Sequence, residues 1–276
     1  MAYAVLEAIR TAGIKIPPCP TVLIDLQQAL QGPDCGNHVI ERLIGRDMKL
    51  AAEVFKTANS SRFASMKKKF NSLDQAIAVL GQRAISNIVR AAALRASLGG
   101  PDPRLGSFWE RATDIAMLCS IVADHAPAAG AFSPEQAFAA GMFHDCGVAV
   151  LMQHYPAYCH GFAGRKQILP DVIVEDATIN TSHCLVGQMV AREWNLPDYL
   201  HETIGFHHTP LAKVQNAAVI ATATLRMSIH IANVHAHADD AEWAEQGSAV
   251  IARLGLAEDA VEEFESDVWA SFEVLH

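Results

Sequence analysis

The stretch Ser133–Gly147, SPEQAFAAGMFHDCG, decides the fold class and contains the first candidate functional residues. Its first four residues form a helix start signal, because serine caps the first turn, proline suits its first position and glutamine returns a hydrogen bond to the cap. The apolar residues that follow predict a buried helix. That helix is expected to run towards His144-Asp145, an imidazole and a carboxylate side by side.

Helical periodicity continues in both directions from this stretch. A capping box at Ser72–Gln75 precedes apolar residues at helical spacing, and another helix is predicted after Asp47. A further helix is predicted after His183 and is expected to end before Leu196-Pro197. The ambiguous run Ile168–Val174 contains a proline and is interpreted as a loop leading into a helix. No alternating strand pattern or hairpin dipeptide occurs, so the sequence predicts an all-α fold.

Glycine and proline mark one internal boundary at Leu98–Pro103, LGGPDP. Two glycines and two prolines in six residues end a helix and begin a connection. We therefore expect an N-terminal helical lobe over residues 1–98 and a second helical lobe over residues 99–235. Residues 236–276 are acidic but keep regularly placed apolar residues, which favours a docked pair of amphipathic helices over a disordered tail.

Composition and charge exclude several classes of protein. The chain has 276 residues, of which 51% are hydrophobic and 18% charged, so it can bury a large core and is not mainly disordered. The formal net charge is −9, and residues 236–276 hold 11 acidic residues against one basic residue. The remaining residues, with 19 acidic and 20 basic side chains, are almost neutral. Direct nucleic-acid binding is therefore the least supported function, because it needs a basic face.

Three features of the sequence predict a cytoplasmic protein. No stretch of about 18 uncharged apolar residues is present, so no membrane-spanning helix is expected. The first residues include Glu7 and Arg10, where a signal peptide needs an unbroken apolar core. Six scattered cysteines without a CxxC motif indicate reduced, buried thiols rather than a disulfide framework.

The candidate chemistry-bearing residues are histidines and one aspartate in the second half of the chain. All lie at or near predicted helix ends, from which several side chains can point into one cleft. Neutral imidazoles with a carboxylate are the ligands that borderline divalent metals prefer. No HExxH or CxxC spacing is present, so local spacing alone does not identify a metal site. The candidates are His144, Asp145, His183, His207 and His208, with His201 as a reserve ligand.

Eight motifs occur in an order that resembles a known family. The N-terminal motifs are Ile16–Pro20 (IPPCP), Leu50–Ser60 (LAAEVFKTANS) and Ser72–Gly81 (SLDQAIAVLG). The C-terminal motifs are Phe108–Arg111 (FWER), Ala140–Gly147 (AGMFHDCG), His183–Gly187 (HCLVG), Trp194–Pro197 (WNLP) and Ile204–His208 (IGFHH). Together they resemble the HDOD domain, a signalling relative of the HD and HD-GYP metal-dependent phosphohydrolases, over roughly Ile14 to Val234. The resemblance implies a two-lobed helical bundle, with an N-terminal helical lobe and a degenerate HD-type lobe.

The resemblance also implies which site positions are kept and which are lost. Active HD-type phosphodiesterases hold two metals with an early His, the His-Asp pair, a later His, a His-His pair and a last Asp. Arg111 falls at the early His and Asn233 at the last Asp, and Val148 replaces the Lys that often follows the His-Asp pair. The first metal site therefore keeps only His144 and Asp145. The second set is complete and consists of Asp145, His183, His207 and His208.

On this resemblance the chain is expected to hold one divalent ion, Fe, Mn or Zn, with His144 as an optional further ligand, or no cofactor at all. Arg111 is permanently charged and is expected to pair bidentately with Asp145 in place of the missing cation. Two alternatives stay open. His144 and Asp145 could simply bond each other at a helix end. His207 and His208 are expected on different faces of a helix, so that one of them need not be a ligand.

Two functions compete at this point. The first is a regulatory signal-transduction module that acts through a protein partner or a small phosphate-containing ligand rather than through turnover. Its acidic C-terminal segment, with Trp243, Trp269 and Phe272, would be a docking or homodimerisation surface, although intramolecular packing explains the same residues. The alternative is an enzyme, a single-metal phosphohydrolase or phosphodiesterase acting on a phosphate ester or cyclic dinucleotide. In that case His144 and Asp145 would be the catalytic residues.

Overall fold

The computed structural model describes residues 13–32, 36–59, 70–99, 105–128, 132–155, 158, 171–215 and 218–275. Within these ranges every regular element is a helix, which confirms the all-α prediction. The chain divides into two compact units. The N-terminal unit comprises residues 18–100 and 270–276, and the site unit comprises residues 1–17 and 101–269. The expected three-part division at residues 98 and 235 stays a prediction, and residues 100–103 of the predicted boundary lie outside the described ranges.

The N-terminal unit contains four helices, and the second and third pack against the fourth. They are α1 (Thr21–Gln31), α2 (Asn37–Gly45), α3 (Met48–Ala58) and α4 (Leu73–Ser97). The expected start signals are present: the Asp47 carboxylate accepts from the Leu50 amide at 3.1 Å, and the Ser72 hydroxyl accepts from the Gln75 amide at 3.1 Å. Gly81 interrupts α4 with φ 82°, a conformation that glycine adopts at little cost.

The site unit contains the remaining helices. They are α5 (Gly106–His125), α6 (Pro134–Phe143), α7 (Cys146–His154), α8 (Val172–Ile179), α9 (His183–Glu193), α10 (Asp198–Phe206), α11 (Ala218–His235), α12 (Ala241–Leu254) and most of α13 (Val261–Leu275). Helix α5 packs along α6 and α11, α7 packs against α9, and α12 packs against α11. The apolar sequence of α5 is therefore explained by burial, with Trp109, Ile115 and Leu118 almost fully enclosed.

Helix starts in this unit follow local sequence signals. Ser133 and Gln136 form the predicted reciprocal capping box at the start of α6. The Ser182 hydroxyl accepts from the Leu185 amide and caps α9, so His183 is the first residue of that helix. Helix α8 begins at Val172 inside the ambiguous apolar run, and residues 168–170 of that run lie outside the described ranges.

A backbone contact between α7 and α9 fixes the spacing of their first residues. A Cβ atom added to Gly147 would lie 2.0 Å from the His183 carbonyl oxygen and 2.7 Å from the Gly187 amide nitrogen. Only glycine permits this approach, because any side chain would push the two helices apart. The contact holds Asp145, which directly precedes α7, beside His183 at the start of α9.

The acidic C-terminal segment forms the pair of helices α12 and α13, as predicted from its apolar spacing. Val250, Leu254 and Val268 are buried, and their helices expose acidic side chains on other faces. Two aromatic stacks add to the packing, with the His230 and Trp243 rings 3.8 Å apart and the His235 and Trp269 rings 3.6 Å apart. Among the described helices, none is both long enough and apolar enough to cross a membrane.

Candidate metal centre

Five predicted site residues converge where four helix ends meet. His144 and Asp145 form the junction between α6 and α7, and His183 begins α9. His207 and His208 directly follow Phe206, the last residue of α10. The expectation that the last two face opposite sides of a helix is wrong, because the helix ends before them. Their rings lie 4.2 Å apart and both approach His183.

Asp145 lies at the centre of this cluster. One carboxylate oxygen, Oδ1, is 3.4 Å from His183 Nε2 and 3.3 Å from His207 Nε2, and these two nitrogens are 3.3 Å apart. The other oxygen, Oδ2, is 3.2 Å from His144 Nε2. The Oδ1 atom is buried, yet it has no hydrogen bond with acceptable geometry. A buried carboxylate oxygen without a donor is costly, and this one faces two ring nitrogens.

All four clustered histidines use Nδ1 for an anchoring contact. His144 Nδ1 bonds the Gly141 carbonyl at 2.6 Å, and His207 Nδ1 bonds the Ile204 carbonyl at 2.8 Å. The other two rings are anchored by carboxylates: His183 Nδ1 bonds Glu175 at 2.8 Å, and His208 Nδ1 bonds Glu242 at 2.5 Å. These acceptors assign the ring hydrogen to Nδ1, so each neutral ring presents the lone pair of its Nε2 atom. Metal-ligating histidines are oriented in this way.

The central atoms therefore suit a bound cation. Two imidazole lone pairs and a carboxylate oxygen meet at 3.3–3.4 Å with no proton assigned between them. Such atoms repel one another unless a positive charge lies among them. The ligand atoms of a tetrahedral ion bonded at ~2.0–2.1 Å lie roughly 3.3–3.4 Å apart. The spacing and the chemistry of the donor set both fit one divalent metal.

Neighbouring charged and polar groups shift the pKa values of Asp145, His207 and His208. Burial by itself would raise the pKa of Asp145, but positive charge and N–H donors among the imidazoles of His144, His207 and His183 hold it well below its usual range, which is the effect that a bound cation would also have. Burial and the neighbouring His208 lower the pKa of His207, which favours its neutral, ligating form. Burial also opposes the charge on His208, but Glu242 outweighs it and raises the pKa of His208.

Sequence reasoning missed the residues that support these ligands. Glu175 of α8 is buried and accepts through one oxygen from both the amide and Nδ1 of His183, each at 2.8 Å. Its other oxygen accepts from the Tyr158 hydroxyl at 2.5 Å. A single glutamate in an apolar segment was the only sequence signal, and it did not indicate which histidine the carboxylate would meet.

Cys184 was also missed. Its sulfur lies 3.4 Å from His183 Nε2 and 3.8 Å from His207 Nδ1. One donor atom from each of His183, Cys184, His207 and His208 can be chosen so that all four lie within 4.8 Å of one another. Burial and the carboxylates of Asp145, Glu175 and Glu242 raise the pKa of Cys184 well above its usual value. A cysteine adjacent to a histidine has no metal-binding spacing, so no sequence pattern selects it.

Arg226 of α11 connects the histidine pair to α12. Its guanidinium donates to the His207 carbonyl at 2.8 Å, to the Thr209 carbonyl, and to the Gln246 side chain at 2.7 Å. Glu242, which anchors His208, lies one turn before Gln246 on α12. Two consecutive turns of α12 therefore contact the loop that carries the histidine pair.

Arg111 and Asn233, the two positions expected to replace metal ligands, bond each other. Arg111 donates to Asn233 Oδ1 at 2.8 Å, and Asn233 Nδ2 donates to Asp240 at 3.1 Å. The expected bidentate pair of Arg111 with Asp145 is not formed in the described part of the chain, where Arg111 donates to the Asn233 oxygen instead. Burial lowers the pKa of Arg111, while Asp145 and two further carboxylates oppose that change. The guanidinium thus remains an electrostatic neighbour of Asp145 without a direct bond.

The last two sequence candidates lie away from the cluster. Val148 is fully buried in α7, so this position supplies no cation. His201, the reserve ligand, accepts from Arg192 Nε at 2.6 Å. Burial and the charge of Arg192 lower the pKa of His201. Neither residue is brought to the candidate centre.

Comparison with known proteins identifies relatives of this chain. The family model described as HDOD domain matches residues 16–210. A protein of Treponema pallidum (strain Nichols), described as an uncharacterized protein, is 26% identical over 214 residues. The match covers 75% of this chain and 40% of that protein, so this chain spans less than half of its relative's length.

Solved structures share the fold. An HDOD domain protein of unknown function from Geobacter sulfurreducens has a TM-score of 0.75 at 19% identity, covering 99% of this chain and 97% of that chain. A "Putative signal transduction protein" from Marinobacter aquaeolei VT8 has a TM-score of 0.77 at 18% identity, with coverage of 99% and 64%. A "Putative metal-dependent phosphohydrolase" from Shewanella amazonensis SB2B has a TM-score of 0.65 at 16% identity, with coverage of 99% and 97%. At these identities the likeness concerns the fold alone.

Proposed function

The chain belongs to the HDOD domain family, and from this premise we propose that it is a signal-transduction module whose HD-type centre binds one divalent metal ion. The ion and a small phosphate-containing ligand would together set the state that a protein partner recognises. The fold neighbours described as signal-transduction and metal-dependent phosphohydrolase proteins are consistent with both parts of this proposal.

One observation carries the proposal. Asp145 Oδ1 is buried without a donor, and the Nε2 atoms of His183 and His207 face it with their lone pairs. Structural histidines normally use both ring nitrogens for protein hydrogen bonds or solvent contacts when buried. Here the second nitrogen of each ring faces the Asp145 carboxylate oxygen, and the Cys184 sulfur lies 3.4 Å from His183 Nε2. A bound cation satisfies all three atoms at once.

The residues at the centre would have two roles, to bind the ion and to orient the ligands. Asp145, His183 and His207 would hold the ion, with His208 and His144 as the next donors. Glu175 and Glu242 would fix the orientation of their histidines by accepting from Nδ1. When bound, a divalent ion polarises phosphoryl oxygens and acidifies coordinated water.

The contacts around Arg111 argue for one ion rather than two. Asn233 accepts from a guanidinium through its oxygen and donates to Asp240 through its nitrogen, so both ends of the amide are used. A permanently charged guanidinium beside Asp145 also repels a second cation. These contacts support a centre that binds one ion and an anionic ligand. In two-metal hydrolysis a pair of ions stabilises both the attacking and the leaving oxygen, and this centre would lack the second ion.

Elemental mass spectrometry of untagged protein, purified without chelator, tests the metal. We expect about one ion per chain in the wild type and none in His207→Ala. His201→Ala is the matched control, because His201 lies outside the cluster and bonds Arg192. Wild-type protein that remains without metal after incubation with Zn²⁺, Mn²⁺ and Fe²⁺, while folded by circular dichroism, would overturn the proposal.

A second candidate function is a single-metal phosphohydrolase or phosphodiesterase. The complete ligand set of one metal position favours it, since a single ion can activate water. Metal-loaded protein would be assayed with a general phosphodiester and with cyclic dinucleotides. Turnover that disappears in Asp145→Asn, with the fold retained, would establish this function; a metal-loaded protein without turnover would leave the binding module as the function.

A further inference from the structure

Cys184 differs from the other buried cysteines of the site unit. Cys119 of α5 lies at the contact with Gly141 of α6 and beside the Ser228 hydroxyl, and Cys146 lies near the Gly187 carbonyl at 3.9 Å. The Cys184 sulfur instead faces His183 Nε2 at 3.4 Å, the atom that also faces Asp145. Packing alone does not require a thiol to face a ring nitrogen of the candidate centre.

The backbone places this sulfur at the centre. His183 and Cys184 are the first two residues of α9, and the Ser182 cap fixes that start. Both side chains are buried, and the amide groups of the first helical turn favour a negative charge there. The donor atoms of a tetrahedral ion bonded by nitrogen and sulfur lie roughly 3.3–3.8 Å apart. The set of His183, Cys184, His207 and His208, within 4.8 Å, would need to contract by at most about 1.5 Å to reach that spacing.

We propose that Cys184 is a thiolate ligand of the metal, and that this ligand makes the centre select Zn²⁺ over Mn²⁺ and Mg²⁺. The inference rests on the proposed metal centre and adds to it the class of ion. Thiolate sulfur prefers borderline and soft ions, whereas Mg²⁺ and Mn²⁺ prefer oxygen donors. The thiol proton leaves to solvent as the sulfur–metal bond forms, and no redox change is involved.

Cobalt substitution tests the ligand directly, because Co²⁺ occupies Zn²⁺ sites and reports its donors by absorption. We expect the wild-type protein with Co²⁺ to show the intense near-ultraviolet thiolate-to-cobalt charge-transfer band. Cys184→Ser should lose that band but keep the weak visible bands of Co²⁺ held by the histidines. Cys119→Ser, a matched change at a buried cysteine away from the cluster, should keep both.

Competition titrations provide a second readout. In Cys184→Ser the affinity for Zn²⁺ should fall by at least ~10-fold, while that for Mn²⁺ should change by less than about 3-fold. If the serine variant does not fold, Cys184→Ala replaces it, and the wild-type spectrum remains decisive. Wild-type protein that binds Co²⁺ with visible bands but no charge-transfer band would overturn the thiolate ligand and leave the metal centre intact. Failure to bind any Co²⁺ would overturn both.

Discussion

Replacing Gly147 by alanine tests whether the α7–α9 contact sets the geometry of the centre. The added Cβ atom would lie 2.0 Å from the His183 carbonyl oxygen, whereas a carbon and an oxygen in contact are about 3.3 Å apart. The two helices must therefore separate by at least ~1.3 Å at this point. The neighbouring atoms are backbone, so no side-chain rotation can relieve the clash.

The separation acts directly on the ligands. Asp145 lies two residues before Gly147, and His183 carries the carbonyl that is displaced. Adding ~1.3 Å to the 3.4 Å distance between Asp145 Oδ1 and His183 Nε2 exceeds the spacing that one ion tolerates. We expect metal affinity to fall by at least ~100-fold, because the change removes a ligand rather than a supporting contact. The overpacking should cost about 1–3 kcal/mol of unfolding free energy, partly offset by the helix propensity of alanine.

The assay is a metal-competition titration together with urea unfolding of the metal-free protein. Gly106→Ala is the matched control, since it lies in the first turn of α5 and an added Cβ meets no atom within 4 Å. The control should bind metal within about 2-fold of wild type and unfold within ~0.5 kcal/mol of it. A folded Gly147→Ala protein with wild-type affinity would refute the argument that this backbone contact sets the ligand spacing.

Three further predictions follow from the side-chain contacts. Glu175→Gln should weaken metal binding by ~10–100-fold in the same titration while the protein stays folded, because the His183 ring loses its carboxylate acceptor. The double variant Arg111→His with Asn233→Asp should raise the metal content from about one ion to about two by elemental analysis, and neither single change should do so. Asp240 accepts from the Trp243 amide, and its contacts with His230 and Asn233 outweigh burial and lower its pKa. The stability that Asp240 contributes is therefore present above about pH 4 and is lost as the pH falls through its lowered pKa. Asp240→Asn should reduce the difference in the free energy of urea unfolding between neutral and acidic pH.

The fold could be predicted from the sequence because its signals are local. The capping residues Ser72 and Ser133 lie directly before the helices they start. The sequence lacks strand patterns, and the described residues contain no strand. The candidate ligands could be chosen from the sequence as histidines and an aspartate near predicted helix ends, but their grouping into one ligand set came only from the resemblance to a family. Their spacings along the chain, from His144 to His183 and on to His207, contain no local pattern that identifies a site.

The remaining parts of the site depend on contacts between distant segments. Arg111 was expected to pair with Asp145, but Asn233, far along the chain, supplies an acceptor that the sequence could not reveal. Glu175 reaches His183 because α8 and α9 are joined by a short turn, and nothing in the composition of α8 marks that geometry. The helix that was expected to carry the histidine pair ends at Phe206, and the two rings that follow it lie 4.2 Å apart.

The two contacts from α12 to the histidine loop make the docking of α12 and metal binding at the centre thermodynamically linked. Glu242 bonds the His208 ring, and Gln246 accepts a hydrogen bond from Arg226, which also donates to the His207 carbonyl. If metal binding tightens these contacts by some factor, the docked helix must tighten metal binding by the same factor, because coupling between two sites is reciprocal. A protein that binds α12 or displaces it would therefore change the metal occupancy of the centre without contacting a ligand. In turn, the metal occupancy of the centre would change the affinity of that protein for α12.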